Sequence, residues 1–239
     1  MARDEPATRN PTRVGRYELF DALAAGGMGA VHIGRVVGEA GFVRPVAIKR
    51  MHAHHAIDPD LVMMFVDEAK ITSRIRHPNV VPVLDVIRHD DELLLVMDFV
   101  IGVSMSELHK VLARRDERLP LEVSVAILAD ALLGLHAAHQ AVSETGEPLD
   151  VVHRDISPQN LMVGADGVTR VLDFGVATAV SRLRSTTDDS VRGKPSYMAP
   201  EQINGEDIDR RADVFALGAV MWESLTGRRL FKGATPRET

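Results

Sequence analysis

The fold of this chain is decided by the stretch His153-Arg154-Asp155-Ile156-Ser157-Pro158-Gln159-Asn160 and, after a short predicted hairpin, by Asp173-Phe174-Gly175. Asp155 and Asn160 lie five positions apart on one predicted loop, and Asp173 follows the hairpin. A carboxylate can orient the proton of an attacking hydroxyl, and oxygen donors of this kind suit magnesium. Phosphoryl transfer mainly requires positioning and neutralisation of charge. We therefore expect Asp155 to be the catalytic base and Asn160 and Asp173 to be metal ligands.

Two upstream motifs occur in the order that a nucleotide site requires. The stretch Gly26-Gly27-Met28-Gly29-Ala30-Val31 lies between predicted strands, and Val46-Ala47-Ile48-Lys49 lies on the next one. Glycines let backbone N–H groups approach phosphates, although this stretch alone could be an ordinary flexible hairpin. Lys49 closes an apolar strand and can reach α- and β-phosphates. Glu68 lies on the apolar face of the next predicted helix, so we expect it to pair with Lys49.

A short connector follows the last predicted strand of this region. There Asp98 and Val100 are expected to offer backbone groups to a purine edge. The apolar residues predicted to line the nucleotide site could also be ordinary core residues, and both interpretations stay open. The further residues that we assign to ATP binding are Leu23, Ala24, Gly26, Gly27, Gly29, Val31, Ala47, Lys49 and Met162.

Composition excludes several classes of function. The net charge of -6 leaves no basic footprint for nucleic acid. The chain has no cysteine, which excludes disulfides and thiolate chemistry and fits a cytoplasmic location. The apolar stretches Val123–Leu135 and Val214–Leu225 are too short to span a bilayer, and each carries an acid, so we predict buried helices and no membrane segment within these residues. The sequence does not indicate an oligomeric state.

The order of predicted elements indicates an α+β fold with two lobes. Residues 1–16 are polar and are predicted to be a flexible tail. Residues 17–101 read as an antiparallel sheet with one helix at about 60–76, and residues 102–239 as a mainly helical lobe.

Taken together, these motifs resemble the eukaryotic-like serine/threonine protein kinases, especially bacterial members. Ala199-Pro200-Glu201 and Asp213 with Leu217-Gly218 extend the resemblance over about Tyr17 to Phe231. It implies a two-lobed kinase fold, with ATP and Mg²⁺ or Mn²⁺ in the cleft, and phosphorylation of serine and threonine in protein substrates, in signalling. A pseudokinase or nucleotide-binding interaction module, and a small-molecule kinase of the same fold, are the alternatives.

Residues beside the predicted base depart from the family pattern. Ser157 stands where these kinases usually have lysine, and Gly193-Lys194 stands where they usually have Gly-Thr. We expect Lys194 to supply the charge that Ser157 cannot and so to act as a catalytic residue. Ala24 replaces the first glycine of the glycine-rich loop, and Thr72 replaces a larger apolar residue one turn after Glu68.

The long segment between Gly175 and Pro200 contains candidate phosphorylation sites, with Arg154 as the expected receptor for a phosphate. The candidates are Ser185, Thr186, Thr187 and Ser190.

The sequence stops soon after Phe231, where the family continues with further helices. We therefore expect an incomplete helical lobe, an unpaired Glu201 and an exposed apolar surface on Val214–Leu225.

Overall fold

The computed structural model describes residues 11–26, 29–52, 56, 58–90, 92–174 and 195–233, without the side chains of Met64 and Glu68. The described residues form two compact units. The sheet unit contains the residues up to Val62 together with Val83–Phe99, and the helical unit contains Met63–Pro82 and the residues from Val100 onward. The break after Phe99 lies close to the predicted lobe boundary at 101, whereas most of the first helix groups with the helical unit.

The sheet unit is built on six antiparallel strands in the order β1-β2-β3-β4-β6-β5. Their bounds are β1 Thr12–Val14, β2 Tyr17–Gly26, β3 Gly29–Val37, β4 Val43–Met51, β5 Val83–His89 and β6 Glu92–Asp98. This arrangement confirms the antiparallel sheet that the sequence predicts for this region.

The two faces of this sheet have different roles. Val46 and Ile48 are fully buried and pack with Leu94 on one face. Because side chains alternate along a strand, Lys49 lies on the opposite face, where it pairs across the sheet with Val31. A slip of one residue in register would move Lys49 into the core, so burial of Val46 and Ile48 fixes where the lysine lies.

The first strand corrects the predicted flexible tail of residues 1–16 at its end, residues 12–16, whereas residues 1–10 lie outside the described part of the chain. Thr12–Val14 pairs with β2, and Val14 is buried against Tyr17. One apolar residue in a three-residue strand is too weak a pattern to show in the sequence.

The helical unit combines helices with a three-stranded sheet in the order β7-β8-β9. Its strands are β7 Gly102–Ser104, β8 Leu161–Gly164 and β9 Thr169–Val171. The α-helices within the described residues are α1 Pro59–Arg74, which begins in the sheet unit, and α2 Met105–Arg114, α3 Leu121–His139, α4 Pro200–Asn204 and α5 Arg211–Thr226. Ser104 caps α2 by accepting the Glu107 N–H at 3.1 Å, and Gly227 ends α5 in the left-handed conformation.

The long helices α3 and α5 are only partly buried. Leu135 of α3 and Leu217 and Val220 of α5 lie in one core. Val214 and Trp222 of α5 are exposed among the described residues. The sequence predicts a buried helix here because nearly every face is apolar, but the structure buries only part of its surface. In the described part of the chain, α3 could cross a membrane by length and composition alone, yet seven of its residues are buried, as in a core helix.

We predict that Thr72→Val stabilises the protein. Thr72 is 5% exposed, and its hydroxyl has no hydrogen-bond partner among the described residues. Replacing a buried, unsatisfied hydroxyl with a methyl group should raise the free energy of unfolding by about 1 kcal/mol in urea titrations. Ser73→Ala, at an exposed hydroxyl bonded to the Lys70 carbonyl, is the control and should change it by less than about 0.5 kcal/mol. Destabilisation by Thr72→Val would show that the hydroxyl has a partner.

Candidate active site

The predicted catalytic loop is anchored by the carboxylate of Asp213, which is 1% exposed at the start of α5. One oxygen accepts the His153 N–H at 2.8 Å and the other accepts the Arg154 N–H at 2.8 Å. The Nε2 atom of His139 also contacts Asp213, at 2.8 Å. Three donors thus surround a buried negative charge that would otherwise be costly. The loop backbone is therefore fixed to the start of α5.

His153 is a structural residue of the loop. Its Nδ1 atom accepts the Asp155 N–H at 3.2 Å, so the proton lies on Nε2, which donates to the Leu172 carbonyl at 2.8 Å. The ring also contacts the buried ring of Phe174, with 4.9 Å between centroids. Both nitrogens are occupied by backbone groups, so His153 orients the loop and is not the proton acceptor.

Asn160 lies beside Asp155 in the orientation that a metal ligand needs. Its Nδ2 atom donates to the Asp155 carbonyl at 2.7 Å and to the Asp155 carboxylate at 3.2 Å. Both partners are acceptors, so the amide nitrogen must face them and the Oδ1 atom is directed away. The Leu172 N–H donates to the Asn160 carbonyl at 2.9 Å, which brings the next residue, Asp173, close.

These two oxygen donors fit magnesium. In the part of the chain that the structure describes, no cluster of three or more His, Asp or Glu side chains could hold a metal alone. Magnesium needs no such cluster, because it binds through one or two protein oxygens, waters and substrate phosphates. Asn160 and Asp173 would supply the protein ligands.

The hairpin that carries Met162 and leads to Asp173 is held by residues that sequence reasoning missed. Asp130 accepts the Thr169 N–H at 2.7 Å, and the Asn79 side chain donates to the Thr169 carbonyl at 2.8 Å. The sequence does show Asp130 as an acid within an apolar helix, which indicates that it needs a hydrogen-bond donor. It does not show that the donor is the Thr169 N–H.

In the sheet unit, the glycine-rich hairpin closes at the pair Gly26 and Gly29. A Cβ atom on Gly29 would lie 2.1 Å from the Arg50 carbonyl oxygen, so close approach of β3 to β4 requires this glycine. This packing constraint is additional to the predicted phosphate approach.

The other predicted residues of this unit have clear positions. Ala24 pairs with Val31, and Ala47 lies two residues before Lys49 on the same face. Leu23 is exposed. The Oδ1 atom of Asp98 accepts from Arg44 at 2.9 Å and from the Phe99 N–H at 3.1 Å. Val100 belongs to the helical unit, where it begins that unit's second segment.

Several predicted residues lie outside the described part of the chain. They are Gly27, Lys194, the Glu68 side chain and the four phosphorylation candidates Ser185, Thr186, Thr187 and Ser190.

Glu201, expected to be unpaired, forms no ion pair among the described residues, where Arg211 pairs with Asp209 instead. Glu201 is only half-buried. The pKa of Arg211 is raised, chiefly by its hydrogen bond with Asp209 and also by the negative charge of Glu201. Because Glu201 is half-buried, it does not carry the cost of a fully buried, unpaired charge.

A cavity of about 500 Å³ adjoins the catalytic loop within the helical unit. Ser157 and Gln159 line one side, and Tyr197 and Glu223 line another. Burial raises the pKa of Tyr197, and hydrogen bonding to Glu223 raises it further, so Tyr197 remains a neutral donor to Glu223. Cationic and anionic side chains are mixed around the cavity.

Comparison with known proteins agrees with this geometry. Residues 17–239 match the protein kinase domain family. The tyrosine-protein kinase MasK of Myxococcus xanthus is 44% identical over 217 residues, which are 91% of this chain and 34% of that protein. The serine/threonine-protein kinase PknB of Mycobacterium leprae is 34% identical over 234 residues, 96% of this chain and 35% of that protein.

A solved structure gives the same result. The Mycobacterium tuberculosis PknI kinase domain superimposes with a TM-score of 0.69 at 26% identity, over 96% of this chain and 81% of that one. The chain therefore belongs to the protein kinase family, and the predicted fold class is confirmed. It spans about a third of the length of the curated relatives it matches.

We predict that Asp213→Ala lowers the free energy of unfolding by about 3–5 kcal/mol, because it leaves two loop N–H groups and His139 without their shared buried acceptor. Urea titration measures the change. Asp207→Ala, at an exposed acid near the same helix, should change stability by less than about 0.5 kcal/mol. Equal effects of the two substitutions would contradict the anchoring role.

Proposed function

We propose that this chain is the catalytic domain of an ATP-dependent protein kinase that transfers the γ-phosphate to serine or threonine hydroxyls of protein substrates. The observation that carries the proposal is the Asp155–Asn160 pair on a loop fixed to Asp213. This pair combines a hydroxyl-orienting carboxylate with a metal-directed amide oxygen, which is the combination that phosphoryl transfer to a hydroxyl uses. A pseudokinase would have no chemical need for this arrangement.

Each residue has a distinct role in this proposal. Asp155 accepts or orients the proton of the acceptor hydroxyl, and Asn160 and Asp173 hold Mg²⁺, or Mn²⁺ in its place. Lys49 positions the α- and β-phosphates and Glu68 positions Lys49. When bound, ATP supplies the phosphoryl group and the metal neutralises its developing charge.

The proposed acceptor is a segment of a protein. The cavity beside Ser157 and Gln159 adjoins the catalytic loop and is large enough for side chains of a peptide. Because cationic and anionic side chains both line it, the cavity does not favour acidic over basic residues in the acceptor peptide. The Ala199-Pro200-Glu201 motif and the long Ser/Thr-bearing segment after Gly175, which resemble the peptide-seating part of protein kinases, favour a protein substrate over a small molecule. We also infer a cytoplasmic location, where ATP and protein substrates are available.

Phosphorylation of tyrosine is the second candidate function. Two observations favour it: MasK, a relative at 44% identity, is named a tyrosine-protein kinase, and Ser157 replaces the lysine usual in serine/threonine kinases. Several relatives at 32–34% identity are named serine/threonine-protein kinases. The type of acceptor is therefore the part of the proposal that most needs a direct test.

We predict that the chain transfers label from γ-labelled ATP to a generic protein acceptor and that Asp155→Asn lowers the rate by about 10²- to 10⁴-fold, because the acceptor hydroxyl loses its proton acceptor. Hydrolysis of the product should give phosphoserine and phosphothreonine. Phosphotyrosine alone would replace the proposal with the second candidate. Binding of ATP with Mg²⁺ but no label transfer, in wild type as in the variant, would indicate a pseudokinase.

Autophosphorylation of Ser185, Thr186, Thr187 or Ser190, with Arg154 as the receptor, belongs to the same proposal. Replacing all four with alanine should lower activity. Full activity of that variant would contradict a regulatory role for these residues.

We predict that Lys194→Met lowers kcat by about a hundredfold, because Lys194 replaces the charge that Ser157 cannot supply to the transferred phosphate. The exchange Ser157→Lys with Lys194→Thr should restore much of the loss. Steady-state kinetics at saturating ATP measure both effects. Unchanged kcat in Lys194→Met would show that this lysine does not act on the phosphate.

A further inference from the structure

Gln202, on the short helix α4, connects that helix to the catalytic loop. Its side chain is buried, and the residue is 8% exposed. The Oε1 atom accepts the Ala199 N–H at 3.0 Å, and the Nε2 atom donates to the Arg154 carbonyl at 3.0 Å. The donor and acceptor types allow no other orientation of the amide.

The Arg154 carbonyl belongs to the peptide group that joins Arg154 to Asp155. The N–H of the same planar group donates to Nδ1 of His153 at 3.2 Å. Gln202 and His153 thus hold this group at its two ends. The carbonyl of Asp155 is held in turn by the Asn160 side chain at 2.7 Å.

This peptide group needs such support because the backbone before it is strained. Arg154 has φ of 65°, in the left-handed region that residues with a Cβ rarely adopt. Conformations of this kind persist only where the surroundings fix them. Asp213 holds the N–H of Arg154, and Gln202 holds its carbonyl.

We propose that Gln202 is a positioning residue for phosphoryl transfer, which fixes the peptide group before Asp155 and so aims its carboxylate at the acceptor hydroxyl. The kinetic part of this inference rests on the proposed function. Gln202 also couples α4 to the loop, so a displacement of α4 would be transmitted to Asp155 through one hydrogen bond.

A purely structural role for Gln202, as a cap of α4 through the Ala199 N–H, makes different predictions. The variant Gln202→Glu keeps an acceptor for Ala199 but loses the donor to Arg154. The variant Gln202→Met has a similar shape and loses both bonds. Asn204→Ala is the matched control, because Asn204 lies on the same helix, is exposed and bonds only the Glu206 side chain among the described residues.

We expect both substitutions of Gln202 to lower kcat by about 10- to 100-fold, because the Arg154 carbonyl loses its donor and the Asp155 carboxylate is no longer held in orientation. The KM for ATP should stay within about twofold of wild type. Asn204→Ala should leave both constants unchanged. As the pH falls, the new carboxyl group of Gln202→Glu protonates and can donate again. Its rate relative to wild type at the same pH should therefore rise. Wild-type kcat in Gln202→Glu, or an equal loss in Asn204→Ala, would overturn the inference.

A measurement without turnover separates this inference from the proposed function. The carbonyl ¹³C resonance of Arg154 should shift in Gln202→Glu and Gln202→Met and stay in place in Asn204→Ala, because a carbonyl resonance responds to its hydrogen bond. If wild type transfers no phosphate, the proposed function fails, but this resonance still shows whether Gln202 bonds the Arg154 carbonyl. An unmoved Arg154 resonance in Gln202→Glu overturns the role of Gln202 whatever the activity. If Gln202→Met does not fold, Gln202→Glu, which keeps the cap, decides alone.

Discussion

The buried carboxylate of Asp213 is the interaction on which the catalytic loop depends. A carboxylate withdrawn from water is stable only when hydrogen-bond donors surround it, and here the donors are two consecutive loop N–H groups and His139. The same hydrogen bonds therefore stabilise the buried carboxylate and fix the loop backbone. The strained conformation of Arg154 can persist because its N–H is held in this way.

Contacts on the other side of the loop also fix the residues predicted to take part in the chemistry. His153 lies between the loop and Leu172, and Asn160 bonds both the backbone and the carboxylate of Asp155. Because its amide nitrogen is used in this way, Asn160 can present only oxygen to a metal. In the sheet unit, the alternation of β4 performs the equivalent task, since burial of Val46 and Ile48 directs Lys49 to the opposite face. In each unit, the backbone therefore fixes where its predicted site residues lie.

Local patterns made much of this predictable from the sequence. The strand that carries Val46-Ala47-Ile48-Lys49 was predicted because β-forming residues are frequent there, and the loop motif contains its chemistry within eight consecutive residues. The roles of Asp213 and Gln202 were not predictable, because their partners lie 60 and 48 residues away and only the fold brings them together. Strand β1 was missed because its single buried residue forms no pattern.

Hydrogen exchange at the His153 and Arg154 amides tests the central claim most directly. If Asp213 anchors the loop as described, these two amides exchange only through global unfolding, and their opening free energy equals the free energy of unfolding from urea titration. The amide of Gly146, in an exposed turn, serves as the reference and should exchange far faster. Exchange of His153 and Arg154 at rates close to that of Gly146 would contradict the account.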